Sequence, residues 1–72
     1  MILRGRYQTV GEVAQLFGVR EWTLRRLERL ERIPPARRDP ISGYRVYDPE
    51  AITRIGEAFQ EIEREMEMSL PA

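Results

Sequence analysis

The sequence predicts a mostly helical domain with one small β-hairpin. Three stretches have apolar residues at helical spacing next to residues that start or stop helices. A turn-forming pentapeptide, Asp39 to Gly43, separates two short segments that are typical of strands. The chain has 72 residues, a length at which apolar burial only just outweighs the loss of chain entropy. We therefore expect residues 1–72 to form a single domain with a minimal core.

The first helix is predicted to begin at Thr9. Residues 9–12 have the sequence TVGE, a capping box in which the Thr hydroxyl and the Glu carboxylate each accept a hydrogen bond from an otherwise unpaired amide. Gly18 is a natural end for this helix, because the residue that follows a helix often has left-handed geometry. The apolar face is expected to consist of Val13, Ala14, Leu16 and Phe17.

A second helix is predicted from about Glu21 to Arg32. Leu24, Leu27 and Leu30 are its expected buried positions. Pro34 and the proline after it should end the helix, because neither can donate the next backbone hydrogen bond. Two short helices joined by a glycine turn predict a helix-turn-helix over residues 9–32.

The hairpin and a last helix follow. Residues 36–47 predict a β-hairpin around the polar loop DPISG. Asp48 is a suitable N-cap, with Pro49 at the first helical position, for a helix over residues 49–67. The termini, residues 1–6 and 68–72, are expected to fray.

The last helix carries a narrow apolar seam whose positions recur at spacings of three and four, namely Ile52, Ile55, Phe59, Ile62 and Met66. Its first half is expected to join the core. Ile62 and Met66 lie beyond the reach of so small a core, so these two residues are candidates for self-association.

The composition excludes most enzyme classes. There is no cysteine and no histidine, so the usual zinc, thiol, disulfide and imidazole chemistries have no residues to use. We expect no enzymatic activity, no metal and no cofactor. No apolar run has the length of a signal peptide or a membrane span, which predicts a cytoplasmic protein.

The net charge of zero conceals an asymmetry. Residues 1–54 contain eleven arginines and seven acids, a net charge of +4, whereas residues 55–72 contain one arginine and five glutamates, a net charge of −4. The basic part favours an anionic partner. All twelve basic residues are arginine, whose planar fork suits phosphates and base edges. Biased codon usage explains the absence of lysine equally well.

The second helix has a basic outer face. At about 100° per residue, Trp22, Arg25, Arg26 and Arg29 fall within an arc of about 100°, on the side opposite Leu24 and Leu27. Such a face fits a DNA major groove. The alternative is a solvated helix held by Glu28–Arg32 and Arg25–Glu28 pairs, with Trp22 packed on the turn.

The hairpin supplies a second basic element through Arg37, Arg38 and Arg45. These arginines either contact DNA or protect an exposed hairpin edge. Tyr44 and Tyr47 are three residues apart and therefore lie on opposite faces of a strand, so at most one of them should be fully buried.

Residues 7 to about 58 resemble the DNA-binding domain of the MerR family of bacterial regulators, a winged helix-turn-helix. The resemblance rests on three motifs: GV-x3-TLR at residues 18–25, PPARR at residues 34–38 and GYRVY at residues 43–47. It implies that residues 23–32 lie in the recognition helix, with Arg25 on a phosphate. It also implies that residues 37–47 form the wing, whose Arg and Tyr side chains grip the flanking backbone or minor groove.

The face, the hairpin and the resemblance together give one set of predicted DNA-binding residues: Arg20, Trp22, Thr23, Arg25, Arg26, Arg29, Arg37, Arg38, Tyr44, Arg45 and Tyr47. The chain departs from the family in two places. Arg26 and Leu27 stand where an aromatic is common, and Glu31-Arg32 stands where a glycine usually follows the recognition helix. The helix is therefore expected to end differently.

Typical MerR regulators continue into a long dimerisation helix and an effector-binding domain, whereas this chain ends at Ala72. The chain also has no cysteine, so drug, metal or redox sensing is not carried over from the family and no small-molecule effector is evident from the sequence. Short proteins with this domain include phage and plasmid excisionases, small phage terminase subunits and single-domain developmental regulators. An excised domain of a longer regulator is the alternative.

The first functional hypothesis is sequence-specific binding of double-stranded DNA in bacterial transcription, at the nucleoid. An excisionase-type or terminase-type architectural factor is the second. A protein-interaction adaptor from a different class would use the acidic last helix, which carries Glu57, Glu61, Glu63, Glu65 and Glu67. One small module buries limited surface on DNA, so we expect a homo-oligomer or cooperative assembly on DNA, and no membrane partner.

Overall fold

The fold is a helix-turn-helix followed by a wing and a long helix. A computed structural model describes residues 7–69 and has its elements in the order β1 Gln8–Thr9, α1 Val10–Phe17, α2 Glu21–Arg29, β2 Arg37–Arg38, β3 Arg45–Tyr47 and α3 Pro49–Ser69. The predicted fold class, mostly helical with a small sheet, is confirmed. Helix α3 runs two residues past its predicted end. The prediction that residues 68 and 69 fray is wrong, because both belong to α3; the fraying predicted for residues 1–6 and 70–72 lies outside the described residues.

Helix α1 begins and ends as its sequence predicts. The Glu12 amide donates to Thr9 Oγ1 at 3.1 Å and the Thr9 amide donates to Glu12 Oε1 at 2.9 Å, which completes the capping box. Gly18 has a φ of 69°, and the Val19 amide reaches back to the Ala14 carbonyl at 2.9 Å. This arrangement is a Schellman motif, in which a left-handed residue turns the chain out of the helix.

Helix α2 ends at Arg29, three residues before the predicted end. The prolines do not terminate it. Glu31 takes a left-handed φ of 59°, and the Arg32 amide donates to the Leu27 carbonyl at 2.9 Å while the Glu31 amide donates to the Glu28 carbonyl at 2.9 Å. These are the two bonds of a Schellman motif, so the helix ends as if a glycine stood at position 31. Glu31 thus takes a conformation that suits glycine, at some cost in backbone strain.

Replacing Glu31 with glycine is expected to raise the free energy of unfolding by about 0.5 to 1 kcal/mol. Glycine removes the strain of the left-handed conformation, roughly 1–2 kcal/mol. It also increases the conformational entropy of the unfolded chain, and this offsets part of the gain in stability. Urea denaturation measures the change. Glu31→Ala retains the strain and is the control, so a glycine variant no more stable than the alanine variant would contradict the prediction.

The sheet has three strands, in the order β1-β3-β2, where the sequence predicted a two-stranded hairpin. Both pairings are antiparallel: Val46 lies opposite Thr9 on one side and opposite Arg37 on the other. Strand β1 has two residues and overlaps the capping box, so it has no alternating pattern from which to be predicted. Its pairing anchors the start of α1 to the wing.

The loop between β2 and β3 is ordered by Asp39. Its carboxylate accepts hydrogen bonds from the Ile41 amide and from Ser42 Oγ, both at 3.0 Å. The Asp39 amide donates to the Tyr44 carbonyl and its carbonyl accepts from the Gly43 amide, both at 2.8 Å. The wing is therefore a hydrogen-bonded turn with Ile41 exposed at its tip.

The core is small and lies between α1, α2, β3 and the first half of α3. It consists of Val10, Val13, Ala14, Leu24, Ile33, Tyr47 and Ile55, with Phe17, Leu27, Ile52 and Phe59 among the residues packed against it. Phe17 and Phe59 pack with ring centroids 5.3 Å apart. Helix α3 starts against this core, where the Ala51 amide donates to Asp48 Oδ1 at 2.8 Å, so the predicted N-cap is confirmed.

Two leucines predicted to be buried are exposed. Leu30 is 58% exposed and Leu16 is 59% exposed. Leucines three residues apart drift by about 60° at each step around a helix, so the third of the series, Leu30, turns away from the core that Leu24 enters. Leu16 likewise lies roughly 80° from the centre of the face that Val13 and Phe17 share.

Candidate nucleic-acid interface

The outer face of α2 is exposed and basic. Leu24 is fully buried, and the opposite side of the helix presents Trp22, Arg25, Arg26 and Arg29 to solvent. Trp22 is 59% exposed, so it does not pack into the turn. Arg20, the residue before the helix, is also exposed, whereas Thr23 is half-buried. The structure therefore brings the predicted residues of this helix onto one accessible face, except for Thr23 at its margin.

The wing presents a second exposed basic element. Arg37 and Arg38 form β2, the edge strand of the sheet, and both are exposed. Arg38 Nη1 donates to the Gly43 carbonyl at 3.0 Å, which holds its guanidinium beside the loop. Tyr44 is 66% exposed on the same wing. These three predicted residues are accessible to a large ligand.

An open groove joins the helix to the wing. It has a volume of about 690 Å³ and runs between α2, the wing and the first turn of α1. Its lining includes Gly11, Glu21, Arg25, Arg38, Tyr44 and Arg45. Arg25 and three predicted wing residues therefore border one continuous depression, although they lie up to 20 residues apart in the sequence. Trp22, Arg26 and Arg29 belong to the outer face of α2 beside it.

The wing is fastened to α2 by the carboxylate of Glu28, whose side chain is 10% exposed. Arg45 Nη2 donates to Glu28 Oε1 at 2.7 Å. The Tyr47 hydroxyl and the Ala36 amide both donate to Glu28 Oε2, the latter at 3.2 Å. One side chain of α2 thus contacts both ends of the wing and fixes the angle between helix and wing.

The helix-stitching pairs considered as the alternative are not formed in residues 7–69. Glu28 turns to the wing, and Arg32 pairs instead with Glu65 of α3 at 3.2 Å. Arg25 takes part in none of the ion pairs of this part of the chain. The guanidinium of Arg25 is therefore available to an external anion.

Tyr47, which the sequence predicted as a DNA-binding residue, is not accessible at the surface. Its side chain is 1% exposed and packs in the core, with its hydroxyl on Glu28. Tyr44, three residues earlier, points to the other side and is exposed, as the strand spacing predicted. Arg45, on the same side as Tyr47, remains partly exposed but is committed to Glu28.

Alkaline pH is expected to destabilise the protein through Tyr47. Burial, and then the hydrogen bond to Glu28, raise the pKa of this phenol well above its ordinary value of about 10. The unfolded chain therefore loses the proton at a lower pH than the folded chain does. The contribution of Tyr47 to the free energy of unfolding should be constant below about pH 10. Above that pH the free energy of unfolding should fall by up to about 1.4 kcal/mol per pH unit.

Urea denaturation between pH 8 and pH 11.5 measures this dependence. Tyr47→Phe should abolish the decline, whereas Tyr44→Phe, at an exposed position, should retain it. An identical decline in wild type and Tyr47→Phe would show that another group causes it.

No group of three or more acidic, cysteine or histidine side chains in residues 7–69 is arranged to hold a metal ion. Within the same residues, no helix has both the length and the hydropathy needed to cross a membrane. The chemical groups that the interface offers are guanidinium groups, the Trp22 indole, the exposed Tyr44 phenol and the Glu21 carboxylate.

Sequence reasoning did not include Glu21 or Glu28 in the interface. Glu28 is four residues before Arg32, a spacing that favours an ordinary helix pair, and its true partners lie 8 to 19 residues away. Glu21 has the usual place of an acid in the first turn of a helix, which gives no sign of the groove beside it.

A comparison with family models finds one that matches residues 9–47, described as the MerR family regulatory protein. The match covers just over half of the chain, from the cap of α1 to the end of β3, and so includes the groove. Searches of curated proteins and of solved structures returned no match.

Proposed function

Since the chain belongs to the MerR family of regulatory proteins, we propose that it binds double-stranded DNA with sequence preference and regulates transcription. The observation that carries the proposal is the groove, where Arg25 of the helix and Arg38 and Tyr44 of the wing face one surface. An isolated basic helix is common on protein surfaces. A basic helix and a basic wing held at a fixed angle form a surface suited to a duplex.

The shape of a duplex accounts for this arrangement. A major groove admits an α-helix, and the minor groove that follows it is narrower and accepts arginine side chains. If α2 lies in the major groove and the wing lies in the minor groove, the sugar-phosphate strand between these two DNA grooves passes over the groove of the protein. Arg25 and Arg38 then contact phosphates, while Trp22 and Arg26 face the base edges.

Selection of bound duplexes from a random pool by the purified protein, at about physiological salt, tests the proposal. We expect an enriched motif and an affinity that falls steeply with salt, because phosphate neutralisation releases counterions. An unenriched pool, or an affinity insensitive to salt, would contradict the proposal. Inverted half-sites would indicate a symmetric dimer and direct repeats a head-to-tail assembly.

The arrangement of motifs also separates transcription control from an excisionase-like or packaging role. Clustered repeats at recombination or packaging sites would favour the architectural role, and single operators near promoters would favour regulation in the bacterial cytoplasm. We propose assembly of two or more copies because a single module of this size buries only roughly 600 to 1,000 Å² of surface. Ile62, which is half-buried, and Met66, which is exposed, remain the residues predicted for self-association.

The adaptor hypothesis would use α3, on which five glutamates are exposed: Glu57, Glu61, Glu63, Glu65 and Glu67. Glu65 is already engaged with Arg32, so the helix is held near the end of α2. We propose DNA binding ahead of this hypothesis, because the basic groove unites two elements and the acidic residues belong to one helix.

A further inference from the structure

One carboxylate lies in the basic groove. Glu21 is the first residue of α2, is exposed, and is the only acid among the groove's lining residues. Its Oε2 extends over the first turn of α1, 3.0 Å from the point where a β-carbon on Gly11 would be. The carboxylate therefore lies beside the first turn of α1, at the border of the groove.

Glu21 is not neutralised by the arginines around it. Within residues 7–69 the ion pairs of glutamates engage Glu28, Glu50 and Glu65, and none engages Glu21. Arg25, one turn along α2, makes no ion pair with it, and Arg45 is committed to Glu28. The negative charge of Glu21 thus acts on whatever enters the groove.

In the proposed complex, the object that enters this groove is a sugar-phosphate strand. Each DNA strand carries one negative charge for roughly every 3.4 Å of helix axis, so a strand that crosses the groove places a phosphate within several ångströms of the carboxylate. Like charges at such a distance repel even in water, and more strongly in the partly desolvated space of an interface. Placing an acid there lowers the affinity that the arginines supply.

We infer that Glu21 is an affinity-limiting residue, which opposes the phosphate strand between α2 and the wing and keeps binding weak enough to be reversible. The inference rests on the proposed function. Because the phosphates are the same in every duplex, Glu21 acts on all sequences alike. It does not choose bases, since it lies about 100° around α2 from Trp22, at the centre of the outer face.

The test compares Glu21→Gln with Glu63→Gln, which makes the same change in net charge on the exposed distal part of α3. Fluorescence anisotropy with a selected duplex and with a random duplex, over a range of salt, measures the affinities. We expect Glu21→Gln to bind both duplexes at least roughly threefold more tightly than wild type does, with a steeper salt dependence. Glu63→Gln should remain within about a factor of 1.5.

Three outcomes would overturn the inference. Equal effects of the two substitutions would mean that only net charge matters, and unchanged affinity in Glu21→Gln would mean that no phosphate approaches this groove. A changed base preference in Glu21→Gln would mean that the carboxylate contacts a base. If wild type binds no duplex, the proposed function itself fails. Urea denaturation of each variant confirms that the fold is retained.

Discussion

Replacing Glu28 with alanine is expected to lower the free energy of unfolding by about 3 kcal/mol, a large part of the roughly 5 kcal/mol typical of a small domain. The substitution leaves the buried Tyr47 hydroxyl and the Ala36 amide without their acceptor, and leaves the Arg45 guanidinium without its carboxylate. An unpaired buried donor costs more than the net value of the bond it loses. Urea denaturation followed by circular dichroism measures the change.

Two variants distinguish the effect of losing the Glu28 hydrogen bonds from the effect of losing one negative charge. Glu28→Gln keeps an acceptor oxygen and the side-chain volume, so its cost should be about half as large. Glu50→Ala removes the exposed pair with Arg54, at 3.3 Å, and should cost less than about 0.5 kcal/mol. A Glu28→Ala variant as stable as Glu50→Ala would mean that the network contributes no stability.

The Glu28 network also shows where the sequence stops being informative. The capping box, Gly18 and the Asp48 cap were predicted correctly because each signal lies within about four residues of the backbone group it satisfies. The partners of Glu28 lie 8 to 19 residues away, whereas helical spacing favours a pair with Arg32, four residues away. Long-range pairings of this kind have no local pattern.

The end of α2 illustrates the same limit in reverse. A glutamate at position 31 predicts no left-handed turn, yet the turn forms because burial of Leu24 and Ile33 fixes where the chain must leave the helix. Tertiary packing here overrides local preference. Helical periodicity was enough to predict which face of α2 is exposed and basic. The groove between α2 and the wing could not be predicted in this way, because it exists only once the chain has folded.

Arg25 and Trp22 provide the sharpest division of roles within the proposed interface. Arg25 lines the groove beneath the phosphate strand, so Arg25→Ala should weaken binding to every duplex by roughly tenfold and lower the salt slope by about one. Trp22 is exposed on the outer face, which faces the bases in the proposed complex, so Trp22→Ala should change which motif is selected and leave the salt slope unchanged.

Parallel selections and salt titrations measure both effects, with Arg64→Ala on the distal part of α3 as the control for the loss of one arginine. The division depends on geometry, because both residues lie within about one turn of α2 and differ mainly in the side of the helix they occupy. If Arg25→Ala altered the motif while Trp22→Ala weakened all duplexes equally, the helix would have to be rotated in the major groove. The sugar-phosphate strand of the DNA would then no longer pass over the protein groove that Glu21 and Arg25 line.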